Sequence, residues 1–227
     1  MFGQYVAEYI GVLQGLDKGK IEEIARAIFH AWQTNRMVFC CGNGGSASSA
    51  SHFIMDLVKL TAPKRGPRLR AMALNENVAA ILAISNDIAY DQIFVEQLRP
   101  FADQHSVVIG FSTSGRSPNV VKAMEYARSM GAVTIGITGR NGHQLCELSD
   151  YPVMIDSTSV QQVEDATMVI GHLLVLRVRQ LIEEAMENEA ESSTLVMPGV
   201  GVIQPVLEDD LGVPFDSRIA RSTVAAG

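Results

Sequence analysis

Five short apolar runs set the limits on what this chain can fold into. They are "MVFCC", "RLRAMAL", "SVVIGF", "AVTIGIT" and "YPVMID". Each has the length of a strand and is rich in small or β-branched residues. Helical stretches separate them: Ser48 to Leu60, Val78 to Ala83, Asn119 to Ser129 and Gln144 to Leu148. Strands buried on both faces and alternating with helices predict an α/β chain. The expected architecture is a three-layer α/β/α sandwich around a five-stranded parallel sheet, of the flavodoxin-like type. No repeat of solenoid type interrupts this order.

Helical pattern also flanks the runs. Ile21, Ile24, Ala25, Ile28 and Trp32 recur at helical spacing, so residues up to about Asn35 read as helices. From Ser159 to Asn188 the chain reads as one long helix whose middle, "MVIGHLLVL", is apolar on every face. A helix apolar all round needs cover all round, and one sheet covers one side. The other side is expected to meet another subunit. Residues 1–188 therefore read as one domain. Residues 189–227 read as a polar linker, "ENEAESS", and an aperiodic extension of unassigned role, either an arm on the body or partly disordered.

The totals agree with one sizeable core: 227 residues, 47% of them hydrophobic. A net charge of −7 argues against nucleic acid as a direct partner. Three cysteines, with Cys40 and Cys41 adjacent and no CxxC, read as buried strand thiols in a reducing compartment. No run is long enough to span a bilayer and no secretory signal core is evident, so no membrane association and a cytoplasmic location are expected.

Two Gly/Ser loops carry the chemistry. "GNGGSASSA" follows the first run and "FSTSGRSPN" follows the third. In an open parallel sheet ligands bind at the carboxyl ends of strands, and a following helix N-terminus favours negative charge. A single loop of this kind is usually only a turn. Two, each between a strand and a helix, point to a phosphate cradle. The pattern matches neither a dinucleotide fingerprint nor a Walker loop, and serines and amides without lysine suit a small sugar phosphate.

His52 and Asp56 are four apart and share a helix face; Glu164 and His172 are eight apart and return to nearly one face. His172 sits inside "MVIGHLLVL", where an imidazole is costly unless paired. A buried histidine bonded to a backbone carbonyl is the plain reading of it; His30, His105 and His143 read as ordinary core or surface residues. If the two helices meet, two imidazoles and two carboxylates make a zinc or other divalent site. The same groups would serve as general acid and base beside a carbonyl, and the two roles compete.

These residues resemble a known family. "CGNGGSASSASHF", the "SND" at Ser85 to Asp87, "STSGRSPN" and the glutamate and "GH" of the long helix are similar to the sugar isomerase (SIS) family, in its phosphoheptose isomerase branch. The resemblance spans roughly Tyr5 to Glu187. It implies a homotetramer with sites between subunits, and isomerisation of sedoheptulose 7-phosphate to D-glycero-D-manno-heptose 7-phosphate through an enediol. It implies substrate contacts at Asn43, Gly44, Gly45, Ser46, Asn86, Asp87, Ser112, Thr113, Ser114, Ser117 and Glu164. Metal ligands, with zinc as the ion, fall on His52, Asp56, Glu164 and His172, and the catalytic pair on Asp56 and His172. The family usually has glutamate at Asp56 and glutamine at Glu164. The shorter Asp56 moves a base by about 1 Å, and Glu164 adds an acid. Two other readings share the loops. One is a non-catalytic SIS protein that binds the replication initiator or senses a sugar phosphate; the other is an isomerase for another ketose phosphate, such as an octulose phosphate.

Overall fold

The computed structural model describes residues 1–194, with side chains through residue 188. Two helices, α1 (Phe2–Gln14) and α2 (Lys18–Gln33), lead into β1 (Met37–Cys41) and α3 (Gly45–Leu60). Then come β2 (Arg70–Ala73), α4 (Val78–Asp87), a single turn at Tyr90–Gln92 and α5 (Val95–Leu98). The rest of the sheet is β3 (Val107–Ser112), β4 (Val133–Gly139) and β5 (Tyr151–Ile155), interleaved with α6 (Pro118–Ser129) and α7 (His143–Glu147). The helix α8 (Val160–Thr194) ends the described chain. All strand pairs are parallel, in the order β2-β1-β3-β4-β5. Residues 1–190 form one compact unit.

The three layers follow from side-chain alternation along the strands. Val38, Cys40, Val107, Ile109, Phe111, Ile135 and Ile137 face one side and pack with α2, α3 and α8. Phe39, Cys41 and Val108 face the other and pack with α5, α6 and α7. The two strand thiols are fully buried; burial pushes the Cys41 thiol up to about 12 and Cys40 well above the usual thiol range. That keeps them protonated and unreactive. No described helix is long and apolar enough to cross a membrane.

Three expectations are corrected. Helix α3 begins at Gly45, three residues before Ser48, because the small residues of the loop already carry helical backbone. Helix α4 runs on from Ala83 to Asp87, so Asn86 and Asp87 occupy its last turn. The segment "ENEAESS" is the end of α8, not a linker: Glu and Ala are strong helix formers. The extension beyond Thr194 lies outside the described residues. Along "MVIGHLLVL", Ile170, Leu174 and Val175 are buried under the sheet, whereas Leu173 and Leu176 remain exposed in the single chain.

Candidate functional site

The site is assembled at the carboxyl ends of β1 and β3, the two neighbouring strands from which the chain runs in opposite directions across the sheet. The first loop turns at Gly44, whose φ of 54° suits glycine, and α3 starts immediately after it. Gly45 has a second reason to lack a side chain: a Cβ there would strike the carboxylate of Glu164. Glu164 thus lies directly against the first loop. Ser46 and Ser49 are buried in the first turns of α3, and Ser49 donates to the Gly45 carbonyl at 3.2 Å. The side chain of Asn75, just beyond β2, braces this turn by donating to the Ala47 carbonyl at 3.0 Å and to Ser51 Oγ at 2.7 Å.

The second loop folds back on itself. Ser112, at the end of β3, is buried; its hydroxyl lies 3.1 Å from Ser117 Oγ and accepts the Gly115 N–H at 3.1 Å. Ser114 accepts the Arg116 N–H at 3.3 Å and is solvent-facing. The carbonyl of Thr113 accepts the Gly139 N–H at 3.1 Å, tying the loop to the end of β4. Pro118 begins α6, so the loop delivers three hydroxyls to the N-terminus of a 12-residue helix. Asn86 and Asp87 are exposed and bonded to each other, Asn86 Nδ2 to Asp87 Oδ1 at 2.7 Å.

Helices α3 and α8 do meet. His52 Nε2 stands 3.2 Å from Asp56 Oδ2 and 3.2 Å from His172 Nε2; His172 Nε2 is 3.7 Å from the same carboxylate oxygen. The two rings lie edge to face, 5.2 Å between centroids. The Asp56 side chain is only 11% exposed, whereas His52 and His172 are 44% and 51% exposed. The expected burial of His172 is therefore corrected: in the chain itself the imidazole lies on the open stripe of α8, over the end of α3. Asp56 is the buried member, and its two imidazole neighbours justify its burial.

This trio can hold a metal ion. One ligand atom from each of His52, Asp56 and His172 fits within a sphere where all are within 4.8 Å of one another. Zinc bound tetrahedrally at ~2.0–2.1 Å keeps its ligands roughly 3.3 Å apart, close to the separations found here. Two nitrogens and one oxygen would leave a fourth position toward solvent, the pattern of catalytic rather than structural sites. Glu164 does not join the trio, contrary to its expected place as a fourth ligand. Its carboxylate is directed to Gly45 instead.

Two residues of the site were missed by the sequence reading. Asn119 and Asn43 exchange side-chain hydrogen bonds at 2.8 Å in both directions, and Tyr90 donates to Asn43 Oδ1 at 3.2 Å. Asn119 stands inside the quoted "STSGRSPN", so its position was visible; its partner, far away in sequence, was not. Nothing in the local pattern marks Tyr90.

The SIS domain family matches residues 1–139. A probable phosphoheptose isomerase of Thermoplasma volcanium is 37% identical over 161 residues, 71% of this chain and 82% of that protein. The phosphoheptose isomerase of Solidesulfovibrio magneticus is 37% identical over 166 residues, 73% of this chain and 80% of its own length. A solved phosphoheptose isomerase from Francisella tularensis superposes with a TM-score of 0.73 at 26% identity, covering 79% of this chain and 96% of that one. On the matched domain, the relatives' identity and the shared architecture, the chain belongs to the SIS domain family, in its phosphoheptose isomerase branch.

Proposed function

We propose that this chain is an aldose–ketose isomerase that converts sedoheptulose 7-phosphate to D-glycero-D-manno-heptose 7-phosphate. The observation that carries the reading is the meeting of His52 and Asp56, on the helix that leaves the first strand-end loop, with His172. The relatives' names supply the substrate class, a phosphoheptose. Incubation with sedoheptulose 7-phosphate should give the aldose signal in proton NMR; its absence, with the sugar phosphate still bound, would leave a binding protein.

In this reading Ser112, Ser114 and Ser117 hold the phosphate at the start of α6, with Thr113 beside them. The loop glycines and Ser46 let backbone approach the sugar chain. The open-chain substrate lays C1 and C2 between the first loop and the His52–Asp56–His172 trio. A carbon-bound proton is removed, and an oxygen is protonated, to give the enediol; reversal at the neighbouring carbon gives the isomer. A bound zinc ion would supply positive charge to the oxygens as they become anionic. When His52, Asp56 and His172 hold it, their lone pairs are committed, and the carboxylate left to move the proton is Glu164, at Gly45. Without the ion Asp56 and His172 are themselves an acid–base pair.

Two expectations accompany the site. Removing the phosphate contacts by Ser114→Ala with Ser117→Ala should raise KM at least tenfold with a smaller fall in kcat, because these groups anchor the remote end. Unchanged KM would place the phosphate elsewhere. Dialysed wild-type protein should contain about one zinc per chain by elemental analysis, and His52→Ala should contain much less. Equal metal in both would take His52 out of the site.

The working unit in this reading is a cytoplasmic homotetramer. Its support is the apolar surface that the chain leaves open. Helix α4 has no buried residue, with Val78 at 61% and Leu82 at 64% exposure, and Ile88 follows at 59%. Leu173, Leu176, Met55 and Val58 are similarly open around the trio. Large apolar side chains left open in this number are characteristic of subunit contacts.

A further inference from the structure

The carboxamide pair between the loops has a bond inventory that decides its role. Asn119 Oδ1 accepts from Asn43 Nδ2 at 2.8 Å and from the Val120 backbone N–H at 3.0 Å. The Val120 donor fixes which end of Asn119 is oxygen, and reciprocity then fixes Asn43. Asn43 Oδ1 accepts from Asn119 Nδ2 at 2.8 Å and from the Tyr90 hydroxyl at 3.2 Å. A carboxamide offers two acceptor sites and two donors. Both acceptor sites of Asn43 are therefore filled, and one of its N–H groups is used. Asn119 is 1% exposed, so it cannot touch a substrate.

The same contacts join three segments that the chain order keeps apart. Asn43 belongs to the first loop and Asn119 to the start of α6. Tyr90 belongs to the turn after Asn86 and Asp87, and its neighbour Asp91 is held by Lys122 of α6 at 2.6 Å. The Lys122 contact holds the Asp91 carboxyl below its usual range.

We propose that Asn119 is a positioning residue. Its reciprocal pair with Asn43, closed by Tyr90, sets the spacing between the two loops and the Asn86–Asp87 segment, and Asn43 serves as a strut before it serves as a substrate contact. This rests on the isomerase reading above for its kinetic consequence, and on the hydrogen bonds alone for its structural one. A buried amide pair of this kind transmits a displacement directly to groups that must be placed to a fraction of an ångström.

The test is a double-mutant cycle with Asn43→Ala and Asn119→Ala, read by KM and kcat for sedoheptulose 7-phosphate. Either single change should raise KM about tenfold, and the double variant should be no worse than the worse single within about twofold, since both break one pair. Amide hydrogen exchange without substrate gives the second readout: residues 42–46 and 112–117 should exchange faster in Asn119→Ala, with the strands unchanged. Tyr90→Phe, at an exposed position, should show a weaker form of the same loosening and keeps the test open if Asn119→Ala does not fold. Multiplicative KM effects, or unchanged loop exchange in both Asn119→Ala and Tyr90→Phe, would overturn the proposal. If the wild type turns over no sugar phosphate, the isomerase reading falls, and loop exchange alone still decides the strut.

Discussion

His172→Gln should lower turnover by about 10²- to 10⁴-fold, the usual contribution of a positioned proton-transfer or ion-holding group, while the fold survives. The side chain is half exposed and its Nε2 sits 3.2 Å from His52 Nε2, so its removal costs little packing. Glutamine keeps the bulk and an amide but loses the imidazole's lone pair and its accessible protonation. Circular dichroism and light scattering should match the wild type. Wild-type turnover in this variant would take His172 out of the chemistry and leave His52 and Asp56 as an ordinary helical pair.

Glu164→Gln should cause a loss of the same order, about 10²- to 10⁴-fold in kcat, and keep the metal content of the wild type. Its carboxylate packs on Gly45 rather than joining the histidines, which places an uncommitted base beside the loop proposed to receive the sugar. Asp56→Asn should behave differently. It removes the buried carboxylate between two imidazoles, so metal content should fall together with turnover. The opposite pattern would show Asp56 to be the base: full metal and lost activity in Asp56→Asn, with Glu164→Gln nearly as active as the wild type. The substitution of Asp for the family's longer glutamate would then have been absorbed by a substrate that sits closer to α3.

How far the sequence could be read depended on the range of the interaction. The parallel sheet was legible because runs such as "SVVIGF" are apolar on both faces, which follows from helices covering both sides. His52 and Asp56 were legible as a pair because four residues are one helical turn. The meeting of α3 with α8 was not fixed by spacing. It depends on the packing of Phe53 and Leu57 with Ile170, Leu174 and Val175 in one core cluster, which no local pattern specifies. The direction of Glu164 was hidden for the same reason: it is set by the absence of a side chain at Gly45, 119 residues earlier, the difference of the two positions. Apolar composition around His172 suggested burial, yet the helix turns that imidazole and Leu173 away from the sheet. The Asn43–Asn119 pair shows the limit most plainly, since each residue alone looks like a loop asparagine and only the neighbouring ends of β1 and β3 bring them together.

Proton transfer between adjacent carbons of a phosphorylated ketose leaves an isotopic record when the isomerisation runs in heavy water. Sedoheptulose 7-phosphate incubated with the protein in deuterium oxide should yield aldose carrying deuterium at C2, seen as loss of the C2 proton signal and collapse of its coupling to C1. An aldose product with the C2 proton fully retained would contradict a solvent-exchanging enediol. No product, with bound sugar phosphate and intact loops, would contradict the isomerase itself.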